Sequence, residues 1–299
     1  MLIDRFLQYI KYEKGYSSHT FVSYQADLSQ FEKFVLERSG AEEFVPDKVD
    51  SSLVREWIVS MMEAGVSASS VNRKLSALKS FFSYLCRMGE VRKNPMSQVV
   101  SPKRQKRLPK FLREEEMTEL FSGRADIYGE GYEAVRDELI METFYTLGIR
   151  LSELIALKDT DVDLRSRTVL VNGKRNKQRY VPFGESLRNS MLAYLSVRDE
   201  AVPDRSGHFF LRPDGEPLYP MLVYRIVHRC ITAVSTLSKR SPHVLRHTFA
   251  TAMLNNGADL EAVKELLGHA NLAATEVYTH TTFEQLQKNY KQAHPRALN

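Results

Sequence analysis

The chain has 299 residues, 43% hydrophobic and 26% charged, an ordinary balance for a globular protein and enough for one large domain or two modest ones. No apolar run approaches the roughly 20 residues that cross a bilayer, and the opening MLIDRFLQYIKYEKGY, with Asp4 and Glu13, has helical spacing rather than signal-peptide character. A cytoplasmic protein away from membranes is expected, with Cys86 and Cys230 as buried thiols of a reducing compartment, since each lies in an apolar helical pattern. The net charge of +5 is concentrated in residues 98–113, QVVSPKRQKRLPKFLR, which carry six basic residues and no acid while the flanks nearly balance.

Residues 1–90 read as four helices. Leu2, Ile3, Phe6, Leu7 and Ile10 make one apolar stripe. Phe21, Tyr24, Leu28, Phe31 and Val35 make a second, with Ser17 or Ser18 as its N-cap. Residues 50–64, around Val54, Trp57 and Ile58, form a third helix. Val71, Leu75, Leu78, Phe82 and Leu85 form the fourth stripe, so Asn72 and Arg73 fall off it and are expected to face outward with Ser69 and Ser70. Asn94-Pro95 ends the helical region. Residues 91–110 are a Pro-punctuated basic linker carrying Lys103, Arg104, Lys106 and Arg107, either a solvated connector or a strap that lies against a polyanion such as DNA.

Residues 111–299 mix helices with a small sheet. VRDELIMETFYTLGIRLSELIAL reads as two helices broken at Gly148. DVDLRSRTVLVNGKRNKQRYVPF switches to period two and predicts a three-stranded antiparallel sheet, with Lys174, Arg175, Lys177 and Arg179 placing positive charge at a hairpin tip. From Ser186 onward the pattern is helical again, with a short apolar run at Phe209–Leu211.

One stretch concentrates chemistry. In SPHVLRHTFAT, Ser241 suits an N-cap and Pro242 the first helical position, which puts His243 and Arg246 on one face of the opening turn. Free N–H groups and the helix dipole favour an anion there, which describes a phosphate site. Arg150 repeats the device after Gly148, with Glu153 one turn on to orient its guanidinium. His269 follows Gly268, the stop of a short helix that begins at Asp259. His247 is expected to pack within its helix; it lies four residues from His243 without the glutamate of a metalloprotease pattern, and no phosphate-loop motif is present, so neither metal nor ATP chemistry is indicated.

Taken in order, LGIRLSEL, HVLRHTFAT, LLGHANLAATEVYTH and the terminal HPRA at 294–297, together with SSHTFVSYQADLSQF near the start, resemble the tyrosine recombinases, also called the phage integrase family, and within them the Xer type. The resemblance covers nearly the whole chain. It implies a mainly α fold: an N-terminal four-helix, SAM-like core-binding domain and a C-terminal α+β catalytic domain ending in a helix exchanged between protomers. It implies Arg150 and Arg246 as phosphate-binding arginines, His243 and His269 as active-site histidines, Tyr278 as nucleophile and Lys174 as proton donor. Arg175 stands where the family often has glycine, so Lys177 stays a lesser candidate for that donor.

The resemblance further implies duplex DNA with paired half-sites as substrate, a homo- or hetero-tetramer on that DNA, no cofactor, and room for a second recombinase and a DNA translocase as partners. DNA contacts are expected at Arg73, Lys103, Arg104, Lys106, Arg107, Arg175 and Lys177. Three other readings share parts of this pattern: an integrase or invertase of a mobile element, a type IB topoisomerase-like relaxing enzyme, and a DNA-binding accessory protein without catalysis.

Overall fold

In the computed structural model, which describes residues 2–103, 110–122, 124–173, 177–203, 206–268 and 289–296, the chain forms two units, Met1–Arg107 and Leu108–Asn299. The first holds α1 (Leu2–Tyr12), α2 (Ser18–Ser39), α3 (Ser51–Glu63) and α4 (Ala68–Arg87). Three of them start on a side chain that accepts from an otherwise unpaired backbone N–H: Ser17 from Thr20, Asp50 from Leu53 and Ser67 from Ser70. The predicted stripes meet in a core of aromatic rings, where Phe31 lies 5.0 Å from Trp57 and Phe6 5.4 Å from Phe81. Burying each such side chain is worth about 1.5–3 kcal/mol, which is what turns amphipathic segments into a bundle.

Asn72 departs from expectation. It is buried, and its Nδ2 donates to the carbonyl of Pro102 at 2.9 Å. The chain after α4 makes a 3-10 turn at Pro95–Gln98 that packs on α3 and α4, covering a side of α4 that helical periodicity alone assigns to solvent. Arg73 does stay exposed, but its guanidinium is committed to both oxygens of the buried Asp27, which also accepts from Lys74 at 2.9 Å. Lys103 is exposed, whereas Arg104, Lys106 and Arg107 lie outside the described residues.

The second unit begins with α5 (Glu114–Ser122), α6 (Arg124–Tyr128) and α7 (Tyr132–Leu147). Helix α7 is buried nearly all round because α6, α9 and α11 pack against it. After α8 (Leu151–Ala156) come β1 (Val162–Asp163), β2 (Thr168–Asn172) and β3 (Gln178–Pro182), an antiparallel sheet in the order β1-β2-β3 with Val169 opposite Val181. Helices α9 (Glu185–Ala201), α10 (Pro220–Val234), α11 (Pro242–Asn255) and α12 (Leu260–Leu267) complete the described elements up to Gly268. Among the described residues between α9 and α10 there is no helix, and two isolated bridges pair Lys158 with His208 and Leu211 with Pro217. Both cysteines are free thiols; Cys230 is buried and Cys86 half-buried.

Residues 289–293 are helical and pack in the core of their own chain. His294 donates Nε2 to the carbonyl of Tyr145 at 3.2 Å and lies between rings, 5.0 Å from Tyr290 and 5.6 Å from Phe249. Asn256 fixes the carbonyl of Ala293 at 2.9 Å, and Arg296 pairs with Glu142 and Ser186 while lying 4.3 Å from the centre of the Phe121 ring. The described part of the helix expected to reach a neighbouring protomer is therefore docked in its own chain, since the Tyr290 ring is buried in the core there and His294 finds both ring contacts and a hydrogen-bond partner; the rest of that helix lies outside the described residues. Among the described residues no helix is long and apolar enough to cross a membrane.

Candidate active site

Gly148 ends α7 in the left-handed conformation at φ 58°, and a Cβ there would stand 2.4 Å from the Phe249 ring of α11. Only glycine satisfies both conditions. This close approach puts the start of α8 beside α11. Arg150 is the N-cap residue of α8: its backbone N–H donates to Glu153 Oε2 at 2.8 Å, its Nη1 to Glu153 Oε1 at 2.7 Å, and its Nη2 to the carbonyl of Gly268 at 2.8 Å. The predicted orienting role of Glu153 is thus realised, and through the backbone as well as the side chain.

Arg246 lies in α11 and is buried. Nη1 donates to the carbonyl of Gly148 at 2.7 Å and Nη2 to that of Leu267 at 2.6 Å. Burial, then the positive charges of Arg150 and Arg179, lower its pKa to about 10, which still leaves a cation at neutral pH. Ser241 takes the N-cap position in extended backbone with Pro242 behind it, yet its hydroxyl makes no cap bond and has no partner among the described residues. His243, one turn before Arg246, is exposed. Partial desolvation, then the charges of Lys239, His247, Arg246 and Arg150, lower its pKa, which favours the neutral ring. His247 is exposed too, against the expectation of packing, because Leu245, Phe249 and Met253 already fill the inner face of α11.

Sequence reasoning misplaced Arg179. It belongs to β3, not to a hairpin tip, and is largely buried. Its Nη1 and Nη2 donate to the two oxygens of Glu153 at 3.0 and 2.9 Å, and its Nε to the carbonyl of Leu266 at 2.7 Å. Burial alone would raise the pKa of Glu153, but hydrogen bonds and charge from Arg179, then from Arg150, hold it at about 2. The signal for this pairing was available only as alternation: Arg179 lies two residues before Val181, hence on the same face of β3.

The last carbonyls of a helix lack intrahelical partners and carry partial negative charge. At the end of α12 three consecutive ones, of Leu266, Leu267 and Gly268, accept from Arg179, Arg246 and Arg150 respectively. Three guanidinium groups are thereby held side by side, and those of Arg150 and Arg246 together suit a doubly liganded anion. Lys174 and Arg175 of the hairpin, and His269 and Tyr278, lie outside the described residues. Lys177 is exposed, and its carbonyl closes the hairpin by accepting from Gly173 at 2.7 Å. Among the described residues, no three His, Cys, Asp or Glu side chains group as metal ligands do.

Comparison with known proteins agrees with this fold. Residues 110–285 match the phage integrase family and residues 3–89 match the phage integrase N-terminal SAM-like domain. The chain is 39% identical to the tyrosine recombinase XerC of Chlorobaculum parvum, over 99% of this chain and 94% of that protein, and 40% identical to XerC of Bacillus licheniformis, over 98% and 95%. A solved structure of the XerH site-specific recombinase bound to its difH substrate superposes with a TM-score of 0.70 at 25% identity, covering 90% of this chain and 78% of that one. The chain belongs to the phage integrase family of DNA breaking and rejoining enzymes, the tyrosine recombinases. Within that family it is of the Xer type, as identity of this level along nearly its whole length shows.

Proposed function

We propose that this protein exchanges strands between paired duplex DNA sites as a tetramer in the cytoplasm, and that it resolves chromosome or plasmid dimers. The curated relatives named XerC and the recombinase solved on its DNA substrate support the reading. The observation that carries it is the pair of arginines, Arg150 and Arg246, held together on the end of α12, with the exposed His243 one turn before Arg246.

The chemistry follows from the groups. A phosphodiester is an anion that resists nucleophiles, and its five-coordinate transition state gathers charge on the non-bridging oxygens. Arg150 and Arg246 stabilise that charge, with His269 donating a further hydrogen bond. Tyr278 attacks phosphorus; its phenol proton, held with a pKa of about 10 in water, passes to His243, whose partial desolvation and neighbouring charges favour the neutral ring. The bond from phosphorus to the 5′ oxygen breaks, and Lys174 supplies the proton that oxygen takes. The products are a 3′-phosphotyrosyl link and a 5′-hydroxyl. A 5′-hydroxyl from the partner duplex then reverses the steps, and no nucleotide triphosphate is consumed. Arg73, Lys103, Arg104, Lys106, Arg107, Arg175 and Lys177 serve as contacts to the DNA backbone.

The test is the Tyr278→Phe variant on a nicked duplex bearing the sequence that the protein selects from random DNA. Binding should persist and the covalent protein–DNA adduct should disappear; an adduct formed by that variant removes Tyr278 from the nucleophile's role.

A further inference from the structure

Glu153 receives two guanidinium groups, and the second has no part in the mechanism above. Arg179 comes from β3, at the foot of the hairpin that carries Lys174, and reaches across to α8 and to the end of α12 in one side chain. Each of its three nitrogens donates within the protein: two to the carboxylate that aims Arg150, one to the carbonyl of Leu266. It also fills the space beneath Gly268, where a Cβ would stand 3.0 Å from Nη1 and 3.2 Å from the guanidinium carbon. Gly268 at φ 62° is therefore required both by its backbone and by the arginine packed under it.

Largely buried and tied to β3, α8 and the end of α12 at once, Arg179 does more than neutralise a charge. On the reading of Arg150 as a phosphate-binding group, we propose that Arg179 is a positioning residue, the tie that sets the guanidinium of Arg150 through Glu153 and the exit of the chain from α12 through Leu266 and Gly268. The role rests on the fork of the guanidinium, since an ammonium has no planar pair of donors for the carboxylate and a third for the carbonyl. It links β3, the first arginine and the end of α12 at Gly268, so misplacement at one is felt at the others.

The experiment compares Arg179→Lys, Arg150→Ala and the double variant in full-length protein, on a nicked duplex bearing the sequence this protein selects from random DNA. Affinity by gel shift and the single-turnover rate of adduct formation are measured separately. Arg179→Lys keeps a cation beside Glu153 and so guards against misfolding. It should bind DNA within about twofold of the wild type and form adduct on the order of 100-fold more slowly, the scale of a misplacement near 1 Å. In the Arg150→Ala background the same change should cost less than about threefold more, because a residue that acts through another loses its effect when that other is gone. Adduct formation by Arg179→Lys at the wild-type rate, losses that multiply in the double variant, or loss of DNA binding along with the rate would each overturn the assignment. If Arg150→Ala itself forms adduct normally, the catalytic reading of Arg150 falls and the positioning role with it, a result distinct from the others.

Discussion

Arg246 donates to the carbonyl of Gly148 at 2.7 Å, two residues before Arg150. The turn that presents one arginine is thus held by the other, and the two are parts of one arrangement joined again at the end of α12.

Gly148→Ala should disturb that arrangement at its root. The left-handed backbone costs about 1–2 kcal/mol for a residue with a Cβ, and crowding the Phe249 ring adds about 1–3 kcal/mol. Urea denaturation should register the sum, and a change below about 0.5 kcal/mol, the size of an ordinary surface substitution, would contradict the close approach of α7 and α11.

Arg246→Lys should be nearly as damaging to adduct formation as Arg246→Ala. Removing one donor to transition-state charge lowers rates on the order of 10²–10³-fold. A lysine cannot hold the carbonyls of Gly148 and Leu267 in the fixed fork that the arginine uses. Single-turnover rates decide it: a lysine variant near the wild-type rate shows that charge alone suffices.

Lys174→Ala should cleave an ordinary duplex poorly and recover on one with a 5′-phosphorothiolate leaving group, which departs without a proton. If the sulfur substrate brings no recovery while Lys177→Ala is rescued by it, the donor is Lys177.

Glu153 links acidity to stability in a known direction. Its folded pKa of about 2 lies below the usual carboxylate value near 4.5, so its contribution is complete above pH 4.5 and is lost as the pH falls toward 2. Glu153→Gln should be less stable by an order of a few kcal/mol at pH 7, and the gap to wild type should close on acidification. A gap independent of pH would refute the charged pairing.

His294 acts in a different window. Burial first of all lowers its pKa to about 4, so the folded ring stays neutral while the unfolded chain takes up a proton near pH 6.5. Stability should fall by about 1.4 kcal/mol per pH unit for this group between pH 6.5 and 4, then level off. His294→Phe keeps the ring and should flatten that slope; an unchanged slope would assign it to other groups.

Much of this was legible in the sequence, for reasons that differ by residue. The four stripes of the first unit and the break at Gly148 follow from helical period and backbone chemistry, which act locally. The pairing of Arg150 with Glu153 was legible because three residues at a helix start are neighbours by geometry. Arg179 was misread because composition at a hairpin says nothing about which charge turns inward; that depends on a carboxylate 26 residues away in the chain. Asn72 was misread because the strand of chain that covers α4 carries no periodic signal. His247 was assigned to packing although the inner face of α11 was already full.

The docking of residues 289–296 has a consequence for the proposed nucleophile. Tyr278 lies ten residues beyond Gly268 and eleven before Asn289, and both of those points are anchored, one by Arg150 and Arg179, the other by Tyr290 and His294. Fixed points on both sides of it in the sequence mean that a substitution loosening either one, far from the reacting atoms, should slow adduct formation.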